Sequence, residues 1–226
     1  MPARLRPTAP IAADAILVGD PGRALMLAQE LLEEPKMSNH ARGLWGYTGP
    51  AKAGGRLTVQ ATGMGGPSAA LVLADLAELG VGRAVRVGTC TALDPALELG
   101  QLLAITEAYA WAGPGAREGE AVLPDPALSA LVRGRLADAA REAMVASLDL
   151  LHGGGAPAPV PAGDAADMQT AALLARGRQL GVALAVVLIV TETASGKRIG
   201  DEEAGSAARS AGTAAASALS NPEVEG

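Results

Sequence analysis

Three glycine-rich segments carry the residues of this chain best suited to hold an anion. They are Gly19-Asp20-Pro21-Gly22-Arg23, Gly63-Met64-Gly65-Gly66-Pro67-Ser68 and Gly88-Thr89-Cys90-Thr91. Each follows a short apolar run. Glycine lets the backbone approach a ligand closely and exposes successive N–H groups as donors. A helix that begins at such a turn adds the positive end of its dipole. One turn of this kind is ordinary in α/β proteins. Three carry more weight, because strands of a parallel sheet deliver their C-terminal ends to the same side. Arginines lie beside them: Arg23 closes the first segment, and Arg86 interrupts the apolar run Ala84-Val85-Arg86-Val87 ahead of the third. Arg42 lies within Asn39-His40-Ala41-Arg42-Gly43-Leu44-Trp45-Gly46-Tyr47-Thr48-Gly49. A guanidinium on a buried strand needs a partner, either an internal carboxylate or a bound oxyanion, and the residues alone leave both open. Three arginines with a nest of backbone N–H groups are what a phosphate dianion requires.

The elements that must position these residues follow from apolar patterning. Short β-branched runs alternate with alanine- and leucine-rich stretches, the pattern of a sheet wrapped by helices. Strands are predicted at Ala15–Val18, Arg56–Ala61, Ala84–Val87, Leu102–Glu107, Ala143–Leu148 and Val182–Val190. Helical spacing marks Ala24, Leu25, Ala28, Leu31 and Leu32, then the stretch after Ser68 to about Leu79, Pro126 to Ala139, Asp167 to Leu180 and Asp201 to Leu219. The last begins with acidic residues, which suit the dipole of a first turn. No internal repeat is evident, and the chain reads as one domain spanning 1–226. A Gly/Pro-rich segment over 152–166 interrupts it and reads as a flexible loop.

Composition narrows the partners. Nearly half of the 226 residues are hydrophobic, enough for a substantial core. The net charge of −6 argues against a nucleic-acid or anionic-membrane surface, while leaving room for a small anion in an arginine-lined pocket. The single cysteine, Cys90, can form neither an internal disulfide nor a multi-cysteine metal site, so no metal is expected. The N-terminal residues lack the apolar stretch of a signal peptide, and the run Val182–Val190 is far short of the ~20 residues of a membrane span. These features together place the protein in the cytoplasm. His40 and His152 read as surface residues, and Cys90 has no neighbouring histidine to make it a nucleophile.

The motifs GDPGR, RGLWGYTG, GMGGPSAA, RVGTCTAL and DMQTAALL occur in an order and spacing that resemble the nucleoside phosphorylase family, in its trimeric and hexameric branch. That branch includes purine nucleoside phosphorylases and uridine phosphorylases, and the resemblance runs from about Asp14 to Leu219. It implies a three-layer α/β/α domain around a mixed, partly barrel-like central sheet. It implies phosphate-dependent cleavage of a nucleoside to free base and (deoxy)ribose 1-phosphate, without a cofactor beyond the co-substrate phosphate. On individual positions, the resemblance assigns phosphate binding to Gly19, Arg23, Arg86 and Thr89, with Arg42 reaching in from a neighbouring subunit of a homo-oligomer, a hexamer built as a trimer of dimers. Met64 and Met168, which taken alone read as core residues, match methionines that pack on the ribose and base. Cys90 and Thr91 fall at the base pocket, where Thr91 replaces a usual glycine and narrows it.

Two positions depart from the family pattern. Its ExE signature, whose second glutamate grips the ribose hydroxyls, is here Asp167-Met168-Gln169, so a carboxylate is lost at Gln169. The Ser-Asp pair of purine-specific members is here Thr191-Glu192; Glu192 either protonates the leaving base, leaning the preference toward purine, or sits solvated in a loop. An aromatic to stack on the base and an N-terminal histidine are missing, with Arg4 or Arg6 near the latter's place. The alternatives are a nucleosidase of the same fold and an impaired relative that binds nucleoside or phosphate without turnover.

Overall fold

The alternation of apolar side chains in the strands is what builds the layers. In β1 (Asp14–Val18), Ile16 and Val18 face one helical layer while Ala15 and Leu17 face the other, all four fully buried. In β9 (Ala183–Glu192), Ala185, Val187 and Ile189 join the first layer, and Leu184, Val186, Leu188 and Val190 join the second. A strand apolar on both faces must be covered on both. The first cover is α1 (Pro21–Leu31), α3 (Pro126–Leu136) and α5 (Asp201–Leu219); the second is α2 (Gly66–Glu78) and α4 (Thr170–Leu180). The computed structural model describes residues 4–111, 121–149 and 163–220.

Between the layers lies one nine-stranded mixed sheet in the order β2-β3-β4-β1-β5-β8-β7-β6-β9. Its other strands are β2 (Lys36–Asn39), β3 (Gly46–Pro50), β4 (Arg56–Ala61), β5 (Arg83–Ala92), β6 (Leu102–Trp111), β7 (Ala140–Leu148) and β8 (Ala165–Asp167). An additional β5–β9 pairing joins the two ends of the run β5-β8-β7-β6-β9, closing it into a ring. The sheet is therefore partly a barrel, and the three-layer, partly barrel-like architecture anticipated from the sequence is the one observed. β1 runs parallel to both β4 and β5, so the ends of these three strands emerge on one side.

Several boundaries differ from the sequence-based expectation. Gly88-Thr89-Cys90-Thr91 is not a turn: β5 continues through it to Ala92, paired with β9. The strands β2 and β3, rich in Asn, Gly, Thr and Pro, lack the apolar alternation that marks the others. The helix expected from Asp167 begins only at Thr170, because Ala165–Asp167 forms β8 between β5 and β7. Ala165 and Ala166 are thus buried sheet residues and not part of a loop, while the remainder of the Gly/Pro-rich segment through residue 162, with His152, lies outside the described residues. No helix among the described residues is long and apolar enough to cross a membrane.

Candidate active site

The segments after β1 and β4 and the middle of β5 open onto a cleft of about 520 Å³ lined by Gly19, Arg23, Met64, Arg86, Thr89 and Gln169, among others. Three helices begin at its edge. Asp20 is the N-cap of α1, its carboxylate accepting a hydrogen bond from Arg23 N at 2.7 Å, and Pro21 opens the first turn. Gly65 is the N-cap of α2, with φ 80°, in the left-handed region that favours glycine. Gln169 is the N-cap of α4. Three helix N-termini around one cleft give it a positive field before any side chain is counted.

Arg23 intensifies that field. It lies in the first turn of α1, where a cation meets the unfavourable end of the helix dipole. Its guanidinium has no hydrogen bond or ion pair among the described residues. Burial holds it below its ordinary value; the Asp20 carboxylate opposes that shift and the like charge of Arg86 adds to it. Two guanidinium groups repelling each other across a cleft call for an anion between them.

Arg86 is only 4% exposed and is already tied into the protein. Its Nη2 donates to Asp167 Oδ2 at 3.0 Å, its Nη1 to Gln169 Oε1 at 2.5 Å and its Nε to Thr170 Oγ1 at 3.2 Å. The partner that the sequence left undecided is thus an internal carboxylate. Three of the five N–H groups of the guanidinium are engaged in this way, and Arg86 still lines the cleft. Gly88 makes the posture possible, since a Cβ there would stand 2.6 Å from both Cζ and Nη2 of Arg86.

Behind Arg86 lies a connected polar network. Asp167 accepts from Ser147 Oγ at 2.5 Å, from Thr170 N at 3.0 Å and from Thr170 Oγ1 at 2.6 Å. Ser147 Oγ in turn accepts from Ala171 N at 2.9 Å. Gln169 Nε2 donates to Gly63 O at 2.5 Å and lies 3.4 Å from Gly65 O, while Thr62 Oγ1 contacts Gln169 Oε1 at 3.2 Å. The chemistry fixes which way this amide points: Arg86 can only donate, so it meets the oxygen, and the Gly63 carbonyl can only accept, so it meets the nitrogen. Gln169, 3% exposed, is therefore occupied by internal partners on both sides.

The remaining sequence-selected residues divide. Gly19, Met64, Thr89, Asp167 and Met168 line the cleft with Arg23, Arg86 and Gln169. Met64 is 86% exposed, so it is no core residue. Cys90, Thr91 and Glu192 do not line the cleft. Cys90 is buried in the apolar layer on the α2 and α4 side, its thiol pushed up by burial and further by the charge of Asp167 against the opposing pull of Arg86. Thr91 pairs in register with Glu192, whose carboxylate forms an ion pair with Arg198 at 3.2 Å. Arg42 sits at φ 60° in the 3-10 turn Ala41–Gly43, exposed, and lines a separate hollow with Arg6, Thr8 and His40. Sequence reasoning passed over Asp20, Thr62, Ser147 and Thr170; only Asp20, ahead of a proline in a strand-to-helix turn, carried a local signal. No cluster of three or more His, Cys, Asp or Glu able to hold a metal is present among the described residues.

Residues 14–221 match the model of the phosphorylase superfamily. The DeoD-type purine nucleoside phosphorylase of Oceanobacillus iheyensis is 48% identical over 84 residues, covering 37% of this chain and 35% of that protein. Its counterpart in Caldanaerobacter subterraneus is 43% identical over 90 residues, covering 39% and 38%. These matches thus span little more than a third of the curated relatives' length. Among solved structures, purine nucleoside phosphorylase from Toxoplasma gondii in complex with immucillin-H superposes with a TM-score of 0.83 at 20% identity, over 94% of this chain and 92% of that one. A uridine phosphorylase of Phytophthora capsici gives 0.83 at 19% identity, over 96% and 93%. At such identities the likeness is one of fold.

Proposed function

The chain belongs to the phosphorylase superfamily, and from that premise we propose that it cleaves nucleosides with inorganic phosphate, releasing free base and a pentose 1-phosphate. The observation that carries the reading is the meeting of Arg23, without an internal partner among the described residues, with Arg86 and three helix N-termini in one cleft. Phosphate takes the Arg23, Arg86, Thr89 and Gly19 end, and the nucleoside lies along Met64 and Met168. The phosphate oxygen forms a bond to the anomeric carbon as the bond from that carbon to the base nitrogen breaks, its electron pair leaving with the base. Positive charge developing on the sugar is stabilised by the phosphate itself, which acts as nucleophile and counter-charge together. A proton must reach the departing base. Glu192 is assigned that step; it stands outside the cleft as a carboxylate paired with the exposed Arg198, so it must leave that pair, take a proton from solvent and turn to the base before it can donate. The purine nucleoside phosphorylases at 43–48% identity support purine as the base. Arg42, exposed and outside the cleft of its own chain, is assigned to the phosphate of a second copy.

Initial rates of base release, followed against phosphate concentration for the wild type and Arg23→Ala, test the reading. The wild type should saturate with phosphate. Arg23→Ala, losing a charged partner worth about 1.5–3 kcal/mol, should need roughly tenfold or more phosphate. Equal turnover without phosphate would make the protein a nucleosidase. Stabilisation by phosphate or nucleoside without turnover would make it a binding protein.

A further inference from the structure

We infer that Gln169 is a positioning residue for the phosphate end of the cleft, acting through Arg86, and not a contact for the sugar. The inference rests on the phosphorylase reading above. Its first support is capacity. Gln169 Oε1 faces Arg86 Nη1 at 2.5 Å and Thr62 Oγ1 at 3.2 Å, and Nε2 faces the carbonyls of Gly63 and Gly65. An amide has two acceptor lone pairs and two N–H donors; three of these directions meet Arg86, Gly63 and Gly65, and the fourth faces Thr62 Oγ1, whose single proton is shared with Val18 O at 3.0 Å. A sugar hydroxyl would have to displace the shared Thr62 contact or break one of the others, in a group that is 3% exposed.

The second support is what the contacts join. Gln169 ties Arg86 on β5 to the turn Gly63-Met64-Gly65 that follows β4. Gly19, at the end of β1, stands close by, since a Cβ added to it would lie 3.8 Å from Gln169 Oε1 and 3.5 Å from Gly63 O. One amide thus ties the guanidinium to the Gly63 turn, with Gly19 packed beside it at the anion end. Asp167 and Thr170 restrain the guanidinium through Nη2 and Nε, leaving Nη1 to Gln169. Without the amide, the guanidinium keeps its plane but loses its tie to the Gly63 turn, so the two can shift apart and the anion meets a less ordered donor set.

The split of kinetic constants tests this. Gln169→Met keeps approximate length and volume while removing both hydrogen-bonding ends. Loss of one charge-assisted contact should raise the KM for phosphate about tenfold while the KM for nucleoside moves less than about twofold. Calorimetric titration with inorganic phosphate alone should show the same weakening. A rise confined to the nucleoside KM, with phosphate unaffected, would overturn the inference and return Gln169 to the sugar. If the wild type shows no phosphate dependence, the phosphorylase reading itself fails, a distinct result. Should Gln169→Met not accumulate folded, Gln169→Asn, which keeps the amide on a shorter stem, undergoes the same titration with the same expected direction.

Discussion

Restoring a carboxylate at position 169 should weaken the protein, even though the family pattern carries one there. Gln169→Glu changes one atom, the Nε2 that donates to Gly63 O at 2.5 Å. Its replacement is an oxygen facing a carbonyl oxygen, in a side chain 3% exposed. An unmet buried acceptor costs about 1–3 kcal/mol. Attraction between the new carboxylate and Arg86 offsets part of this, but Asp167 already neutralises that guanidinium at 3.0 Å, so the cluster becomes net negative. A net loss of about 1–2 kcal/mol at neutral pH corresponds, for a chain of this size, to a fall in Tm of about 3–6 °C. Burial, Asp167 and the Gly63 carbonyl all favour the protonated acid, and together they outweigh Arg86. The folded-state pKa of the introduced carboxyl is then raised above its unfolded value, so stability is retained in acid and lost as pH rises through that interval. The deficit relative to wild type should therefore shrink between pH 7 and pH 5. Thermal unfolding followed by tryptophan fluorescence at the two values measures it. A variant as stable as wild type at pH 7, or a deficit that grows toward acid, would refute the reasoning.

Other substitutions probe other parts. Gly88→Ala places a Cβ 2.6 Å from the Arg86 guanidinium and 2.8 Å from Leu188 Cδ2; overpacking of this kind should cost about 1–3 kcal/mol in chemical denaturation and weaken phosphate binding with it. Asp75 is 1% exposed and accepts from Arg4 N at 2.6 Å and Leu5 N at 2.8 Å. Both donors meet Oδ2 while Oδ1 accepts from Arg4 Nη1 at 3.0 Å, so Asp75→Asn turns its NH2 toward that guanidinium or toward the backbone pair, and should lose about 1–3 kcal/mol and speed amide exchange at Arg4 and Leu5. Because burial pushes the Cys90 thiol up, a thiol reagent at pH 8 should modify it at the rate of unfolding; fast labelling of the native protein would contradict its placement.

The fold was legible where burial on both faces leaves a continuous apolar signature. Val182–Val190 and Ala15–Val18 are such strands, each lying within the sheet and covered by helices on both sides. β8 was hidden because three residues, Ala165–Asp167, give no periodicity and owe their extended form to pairing with β5 and β7. Gly88 misled for a different reason. A glycine is required there not by a bend but by the guanidinium of Arg86 lying over it, a tertiary fact with no local sign. At the site, Arg23 and Arg86 announced themselves as cations beside glycines. What no spacing conveys is that Asp167 and Gln169, far along the chain, close on Arg86 from behind.

The fate of phosphate is the most direct test of the cleft's chemistry. Phosphorus NMR of the protein incubated with a purine nucleoside and inorganic phosphate would follow it atom for atom. The cleft built by Arg23, Arg86 and three helix N-termini predicts that the phosphate resonance declines in step with base release, while a single phosphate monoester resonance grows. Free base appearing with the phosphate resonance unchanged would contradict it.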